Sequence, residues 1–415
     1  MADQPHILYL SQYFPPEMGA PSARVYELSR RWVKAEARVT VLTGFPNHPT
    51  GVIPEEYRGY HYLKEKKDGI DVVRTYIYAA PNKGFFKRIL SYMSFMMSSI
   101  VQGTGKVGEQ DVIIATSPQF FVGIAGYIIS RLKGLPFIFE VRDLWPESIV
   151  QLGLLRNKYA IRFLQWVEMF LYRKALHVVG VADSTYDVLT SRGLKGHKIS
   201  IIKNGVDLNL FKNNYDADTV KRHKNLQEKF VISYIGTHGL SHALDKVLDT
   251  AHLMRNDPDC IFLLVGEGAE KEKLKDKARR LNLNNVIFHD QVGKSELPKF
   301  YALSDIVLVT LRKLPLFKQV IPSKIFEIMA MRRPILISVD GEARKIVQDA
   351  GAGVFSEPEN ADKLMTQIQF LKPHADIRAE MGQNGFNYVH EHFNRDRLAD
   401  YYLNLIKTLL QRRGV

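Results

Sequence analysis

Three features of this sequence predict two doubly wound, parallel-sheet α/β domains. Short apolar runs alternate with helical patterns along almost the whole chain, the runs are apolar on both faces, and a polar break divides them into two sets after residue 207. Strands covered by helices on both sides lose the in–out alternation of a half-solvated antiparallel sheet. A chain of 415 residues also exceeds what one hydrophobic core organises.

The first set of runs opens with HILYL (6–10) and continues at 38–43, 71–78, 111–117, 136–141, 177–182 and 198–204. The second set occupies 230–236, 260–266, 285–290, 306–311 and 334–338. Helical patterns fall between most of them, which implies βαβ units, and twelve strands are too many for one such sheet. The break is NLFKNNYDADTVKRHKN, following KNGVD (203–207). Two Rossmann-like domains are therefore expected at 1–205 and 206–385, with the active site in a cleft between them beyond the carboxyl ends of the strands. A last segment, 386–415, holds the apolar-striped helix RLADYYLNLIKTLLQRR.

Composition narrows the function class. A hydrophobic fraction of 46% and a charged fraction of 24% are those of a soluble globular protein. The single cysteine, Cys260, excludes an intrachain disulfide and reads as a buried small hydrophobe within CIFLLVG. No secretory signal and no membrane-length apolar stretch is read, so a cytoplasmic chain is expected. The net charge of +13 is uneven: residues 1–205 hold 26 Lys+Arg against 17 Asp+Glu, the remainder 31 against 27. Residues 72–108 contain no acid, and within them FFKRILSYMSFMMSSIV (85–101) spaces its apolar residues as a helix does. With Lys83, Lys87 and Arg88 beside it, this segment reads either as a helix lying on an anionic membrane or as an ordinary core-facing helix. A basic nucleic-acid-binding protein is the third option, but no RNP, helix-turn-helix or zinc signature supports it.

The first strand-to-helix connection, YFPPEMGAPSAR (13–24), lacks G-x-G-x-x-G, so no dinucleotide fingerprint is present. Gly19 and Ala20 nevertheless open a helix where a phosphate can approach the backbone, although Gly-Ala-Pro-Ser is also simply a good helix start. GFPNHPTG (44–51) sets Asn47 and His48 at the carboxyl end of the second strand. In the second half, IGTHGLSHALDKVL (235–248) and LVGEGAEKEKL (264–274) run strand, glycine turn, helix, with His238 and His242 in the first turn and Gly266 in the second. HDQVGKSELPKFYALSDI (289–306) repeats the strand, loop, helix order. VIPSKIFEIMAMRRPILIS (320–338) puts Ser323 and Lys324 at a helix start and Glu327 one turn inside. A helix start with a lysine suits a diphosphate, while a neighbouring carboxylate suits the vicinal hydroxyls of a ribose.

With those segments in this order, the chain resembles the retaining GT-B glycosyltransferases of family 4 and is most similar to the L-fucosamine transferases of bacterial O-antigen and capsule clusters. The resemblance implies an N-terminal acceptor domain, a C-terminal nucleotide-sugar domain and a C-terminal helix crossing back to the first. It implies transfer with retention and without metal or other cofactor; the donor expected on this reading is a UDP-sugar carrying an N-acetylated amino sugar, and the acceptor a lipid-linked glycan. Glu327 matches the ribose-binding second glutamate of the family's Glu-x7-Glu motif, and Gln319 stands where the first glutamate contacts the donor sugar. The family's diphosphate-gripping Arg and Lys correspond to Thr237 and His242. Lys324, the amides of Ser323 and Lys324, His238 and a protonated His242 are the expected substitutes. Gly19 matches a glycine loop facing the donor diphosphate. Arg142 and Asp143, in EVRDLWPES (140–148), stand where relatives carry a catalytic His-Asp pair, so no histidine base is expected, and Asp143 is expected to orient the acceptor hydroxyl or the donor sugar. Glu17, Asn47, His48, Lys83, Lys87 and Arg88 are the expected acceptor-side residues. The basic N-terminal domain is expected to make a peripheral contact with the inner face of the plasma membrane, where that acceptor lies. A UDP-sugar 2-epimerase shares the two-domain architecture and stands as the alternative enzyme.

Overall fold

The computed structural model describes residues 4–17, 19–48, 50–80, 85–117, 120–146, 150, 157–212, 214–223 and 226–413. The chain forms two compact units, Met1–Asn204 with Asp396–Val415, and Gly205–Arg395.

The first unit is built on the strands β1 (His6–Leu10), β2 (Arg38–Gly44), β3 (Tyr62–Lys67), β4 (Ile70–Thr75), β5 (Val112–Thr116), β6 (Phe137–Val141), β7 (His177–Gly180) and β8 (Ile199–Ile201). Their order is β3-β4-β2-β1-β5-β6-β7-β8, and only β3 runs antiparallel to its neighbour. Ile7 to Leu10 are fully buried on both faces, as the continuous apolar run requires. Helices Ala20–Lys34 and Arg395–Gln411 cover one face; Phe85–Ser98, Phe120–Lys133 and Lys158–Lys174 pack on the other.

The last helix joins this unit through specific contacts. Trp32 donates its indole N–H to the carbonyl of Ala399 at 3.0 Å and meets Tyr402 edge-on, while Arg31 pairs with Asp396. The boundary expected at 385 is corrected: it falls inside the continuous helix Ala375–His392, which stays with the second unit because Gly382 and Gly385 let it press against Arg332 and Met329. The chain passes to the first unit only at Asp396.

A buried ion pair ties the sheet to its first helix. Arg24 donates to Glu140 at 2.9 Å and to the carbonyl of Ile202 at 2.9 Å, and Glu140 also accepts from the hydroxyls of Tyr9 and Thr116 at 2.9 and 2.7 Å. Every oxygen of this carboxylate is occupied, which is what burial of a charge demands.

The second unit holds β9 (Phe230–Ile235), β10 (Cys260–Val265), β11 (Val286–His289), β12 (Ile306–Thr310), β13 (Ile335–Ser338) and β14 (Gly353–Phe355), all parallel in the order β11-β10-β9-β12-β13-β14. Strand order reverses at β9, whose successors lie on one side while β12 lies on the other; a crevice opens beyond the carboxyl ends at such a switch point. All twelve expected strands form. Two were not expected: β3, whose YLKEKK is an exposed edge with little apolar content, and β14, which is three residues long.

Breaking the ion pair tests this reading. Arg24→Met leaves Glu140 buried and unpaired and is expected to cost about 3–5 kcal/mol in chemical denaturation. Replacing Glu140 by Leu in the same chain should recover part of that loss, because the isolated charge is then gone.

Candidate functional site

In the second unit the glycine turns after β9 and β10 lie against each other. Gly236, Gly266 and Gly268 have φ of 145°, 145° and 157°. A Cβ on Gly266 would collide with the carbonyl of Gly236, and one on Gly268 with the backbone of His238. Glycine at both positions is what lets the two turns touch. His238 locks the pair: its N–H donates to Glu267 at 2.8 Å and its carbonyl accepts from Glu270 at 2.9 Å.

Lys324 ends in this corner. Its helix, Lys324–Ala330, follows the loop after β12, and its Nζ lies 3.8 Å from the centroid of the Tyr234 ring. A Cβ on Gly236 would stand 2.6 Å from that nitrogen, so the glycine also makes room for the ammonium. Nζ is buried with no hydrogen-bond partner, and burial pulls the group down to about 7 despite the opposing charge of Glu327. The aromatic face offers a cation–π contact but no acceptor.

Glu327, one turn on, accepts the Tyr301 hydroxyl at 2.8 Å, and burial raises its carboxyl above the ordinary range. Tyr234, within the run 230–236, and Tyr301, within 289–306, were not singled out in the sequence.

The histidines correct the sequence expectation. His238 is fully buried, with neither ring nitrogen bonded, and burial followed by the charges of Lys271 and Lys324 pulls it to about 4. Burial and Lys324 do the same to His242. Both rings are therefore neutral at pH 7, against the protonated His242 expected from the sequence. Thr237 and Gln319 are exposed, and Ser323 precedes the Lys324 helix without a side-chain cap.

In the first unit Gly19 (φ 127°) and Ala20 are exposed at the start of their helix. Glu17, Asn47 and His48 come together: one Glu17 oxygen accepts the N–H groups of Asn47 and His48 at 3.0 and 2.9 Å. Burial lifts the Glu17 carboxyl to about 7 in spite of these bonds. Glu17 thereby joins the loop after β1 to the loop after β2. Burial, then Arg88, lowers His48. Arg142 follows β6, its N–H bonded to Ser117 at 2.7 Å, with Nε and Nη1 buried and unpartnered; Asp143 beside it is exposed. Lys87 and Arg88 are exposed on their helix, while Lys83 lies outside the described residues. Among the described residues no three His, Cys, Asp or Glu side chains are grouped to hold a metal ion.

The chain is similar to known proteins over almost its whole length. The family model "Glycosyl transferases group 1" matches residues 216–388, and "Glycosyl transferase 4-like domain" matches 19–205. The colanic acid biosynthesis glycosyl transferase WcaI of Escherichia coli K12 is 24% identical over 391 residues, 91% of this chain and 93% of its own. O-antigen chain mannosyltransferase C of Escherichia coli is 21% identical over 97% of this chain and 98% of its own. Sucrose-phosphate synthase from Thermosynechococcus elongatus has the same fold, with a TM-score of 0.78 at 18% identity over 99% of this chain and 100% of that one. Anabaena HepE, solved with UDP, superimposes with a TM-score of 0.72 at 18% identity over 97% and 100% of the two chains. These matches favour a transferase over the 2-epimerase.

Glu17 carries a pH prediction. Its folded value near 7 exceeds the ordinary 4.5, so stability is fully present below about 4.5 and is lost as pH rises through 7. Glu17→Gln keeps an acceptor oxygen but cannot ionise. Between pH 4.5 and 8 the wild type should lose on the order of 3 kcal/mol relative to this variant, measured by denaturant titration.

Proposed function

As a glycosyltransferase of the group 1 and 4-like families, this chain is proposed by us to move an N-acetylated amino sugar from a UDP-sugar to a lipid-linked glycan. Transfer proceeds with retention at the anomeric carbon and without a metal, in the synthesis of a bacterial surface polysaccharide. The observation that carries the reading is the buried, acceptor-free ammonium of Lys324 at the carboxyl end of β9. A doubly charged leaving group supplies the acceptor that the protein withholds.

The chemistry follows from that placement. The bond from the anomeric carbon to the diphosphate oxygen breaks, the acceptor oxygen bonds to the same face, and its proton passes to the departing phosphate oxygen. Lys324 and the backbone N–H groups of Ser323 and Lys324 stabilise the developing charge, and the glycine turns let the phosphates reach the backbone. Glu327, held by Tyr301, accepts from the ribose hydroxyls. Within the second unit Gln319 contacts the donor sugar; within the first unit Arg142 and Asp143 are assigned to the acceptor hydroxyl. The colanic acid and O-antigen enzymes among the relatives support the polysaccharide setting, and the UDP-bound HepE structures support the donor class. The lipid-linked acceptor places the chain at the cytoplasmic membrane surface, with the basic helix Phe85–Ser98 toward the lipid.

A thermal-shift panel of UDP, GDP, ADP and their sugars tests the donor. UDP and UDP-sugars should raise the melting temperature and the other nucleotides should not; equal shifts for all would contradict the assignment. Glu327→Ala should abolish the UDP shift, and Lys324→Met should lower turnover by roughly 10²-fold or more, the scale for removing one transition-state donor.

A further inference from the structure

The helix Lys158–Lys174 carries an aromatic row turned to solvent. Tyr159, Phe163 and Trp166 are 87%, 62% and 64% exposed, at a spacing that keeps them on one helical face. Phe163 stacks on Trp166, and Trp166 on Phe170, with centroids 6.1 and 6.0 Å apart. Three large exposed aromatics in one row are not explained by packing within the fold.

We propose that this row, with the cations flanking it, is the face by which the chain seats in an anionic lipid bilayer. The proposal rests on the lipid-linked acceptor put forward above and names the surface that meets the lipid. Charge selects this occupant. The helix contains one acid, Glu168, which is buried and held by the Trp145 N–H, the Tyr172 hydroxyl and Arg192 at 3.0, 2.6 and 3.1 Å. Its exposed charges are therefore all positive: Lys158, Arg162, Arg173 and Lys174. Lys158 and Arg162 each precede an aromatic of the row, so their heads can reach phosphates while the rings enter the acyl boundary. Tyrosine and tryptophan suit that boundary because each joins an apolar ring to a polar group.

The neighbouring helical surface has the same character. Leu90, Met93 and Met97 are exposed on Phe85–Ser98, followed by Val101, in a stretch with no acid from 72 to 108. A second copy of this face is disfavoured, since it would set like cations against each other. The helix lies on the bilayer rather than crossing it: it has 17 residues, and no helix among the described residues is long and apolar enough to span.

Tryptophan fluorescence reads the proposal directly. The chain has three tryptophans, and Trp32 and Trp145 are 0% and 9% exposed, so an emission change on adding vesicles reports Trp166. Mixed phosphatidylcholine–phosphatidylglycerol vesicles should shift that emission to the blue, and brominated lipid should quench it; phosphatidylcholine alone should do so weakly. A Tyr159→Ser/Phe163→Ser chain should partition about tenfold more weakly. Lys158→Gln/Arg162→Gln should lower the preference for anionic lipid by about fivefold per charge, with a smaller salt dependence. An unchanged UDP-induced thermal shift in both variants confirms that they are folded. Vesicle binding with silent Trp166 emission would overturn the assignment while leaving a membrane-bound enzyme standing on another surface. Failure to bind either vesicle would remove both. Self-association abolished by Tyr159→Ser/Phe163→Ser would identify the row as a protein interface and overturn the proposal.

Discussion

A lysine ammonium sealed against an aromatic ring, with no acceptor beside it, is the constraint on which the second unit's site depends. Lys324 reaches its position only because Gly236 has no side chain to fill the space, and Gly236 sits there only because Gly266 and Gly268 admit its turn and that of His238. Removing a charge from water without a partner is unfavourable, and the group answers by falling to about 7. An arriving anion restores both the partner and the full charge. In the proposed donor complex, binding and the protonation of Lys324 are thereby coupled.

The same burial explains why the site holds fewer cations than the family resemblance suggests. His238 and His242 occupy the right turn but are too enclosed, and too close to Lys324, to carry charge at neutral pH. Burial acts in the first unit as well, with a different result. Glu140 and Arg24 remain ionised because each satisfies the other within a complete hydrogen-bond network, whereas Glu17, bonded only through backbone amides, rises to about 7. The decisive difference is a fixed countercharge.

Much of the fold was legible because parallel strands buried on both faces leave long apolar runs, and each of the expected runs became a strand. β3 was missed for the converse reason: an edge strand of alternating charges has no such run, although Asp68-Gly69, with φ of 50° and 81°, is a hairpin turn signal that marks it. Lys324, Glu327 and the glycine turns were readable because their spacing relative to strands and helix starts is local. Tyr234 beneath Lys324 and Tyr301 beside Glu327 were not, because which core aromatic meets which polar group is decided by packing across elements. The protonation of the histidines was hidden for the same reason. The exposed aromatic row on Lys158–Lys174 was invisible too, since a helical apolar spacing does not say which face meets the sheet.

The most direct test of the central claim is the proton count on donor binding, from calorimetry of UDP at pH 8 in buffers of different ionisation enthalpy. With Lys324 near 7 in the free chain and fully charged against a diphosphate, the wild type should take up close to one proton per UDP, and Lys324→Met should take up almost none. Equal proton uptake by the two chains, or none by either with full affinity, would contradict the account.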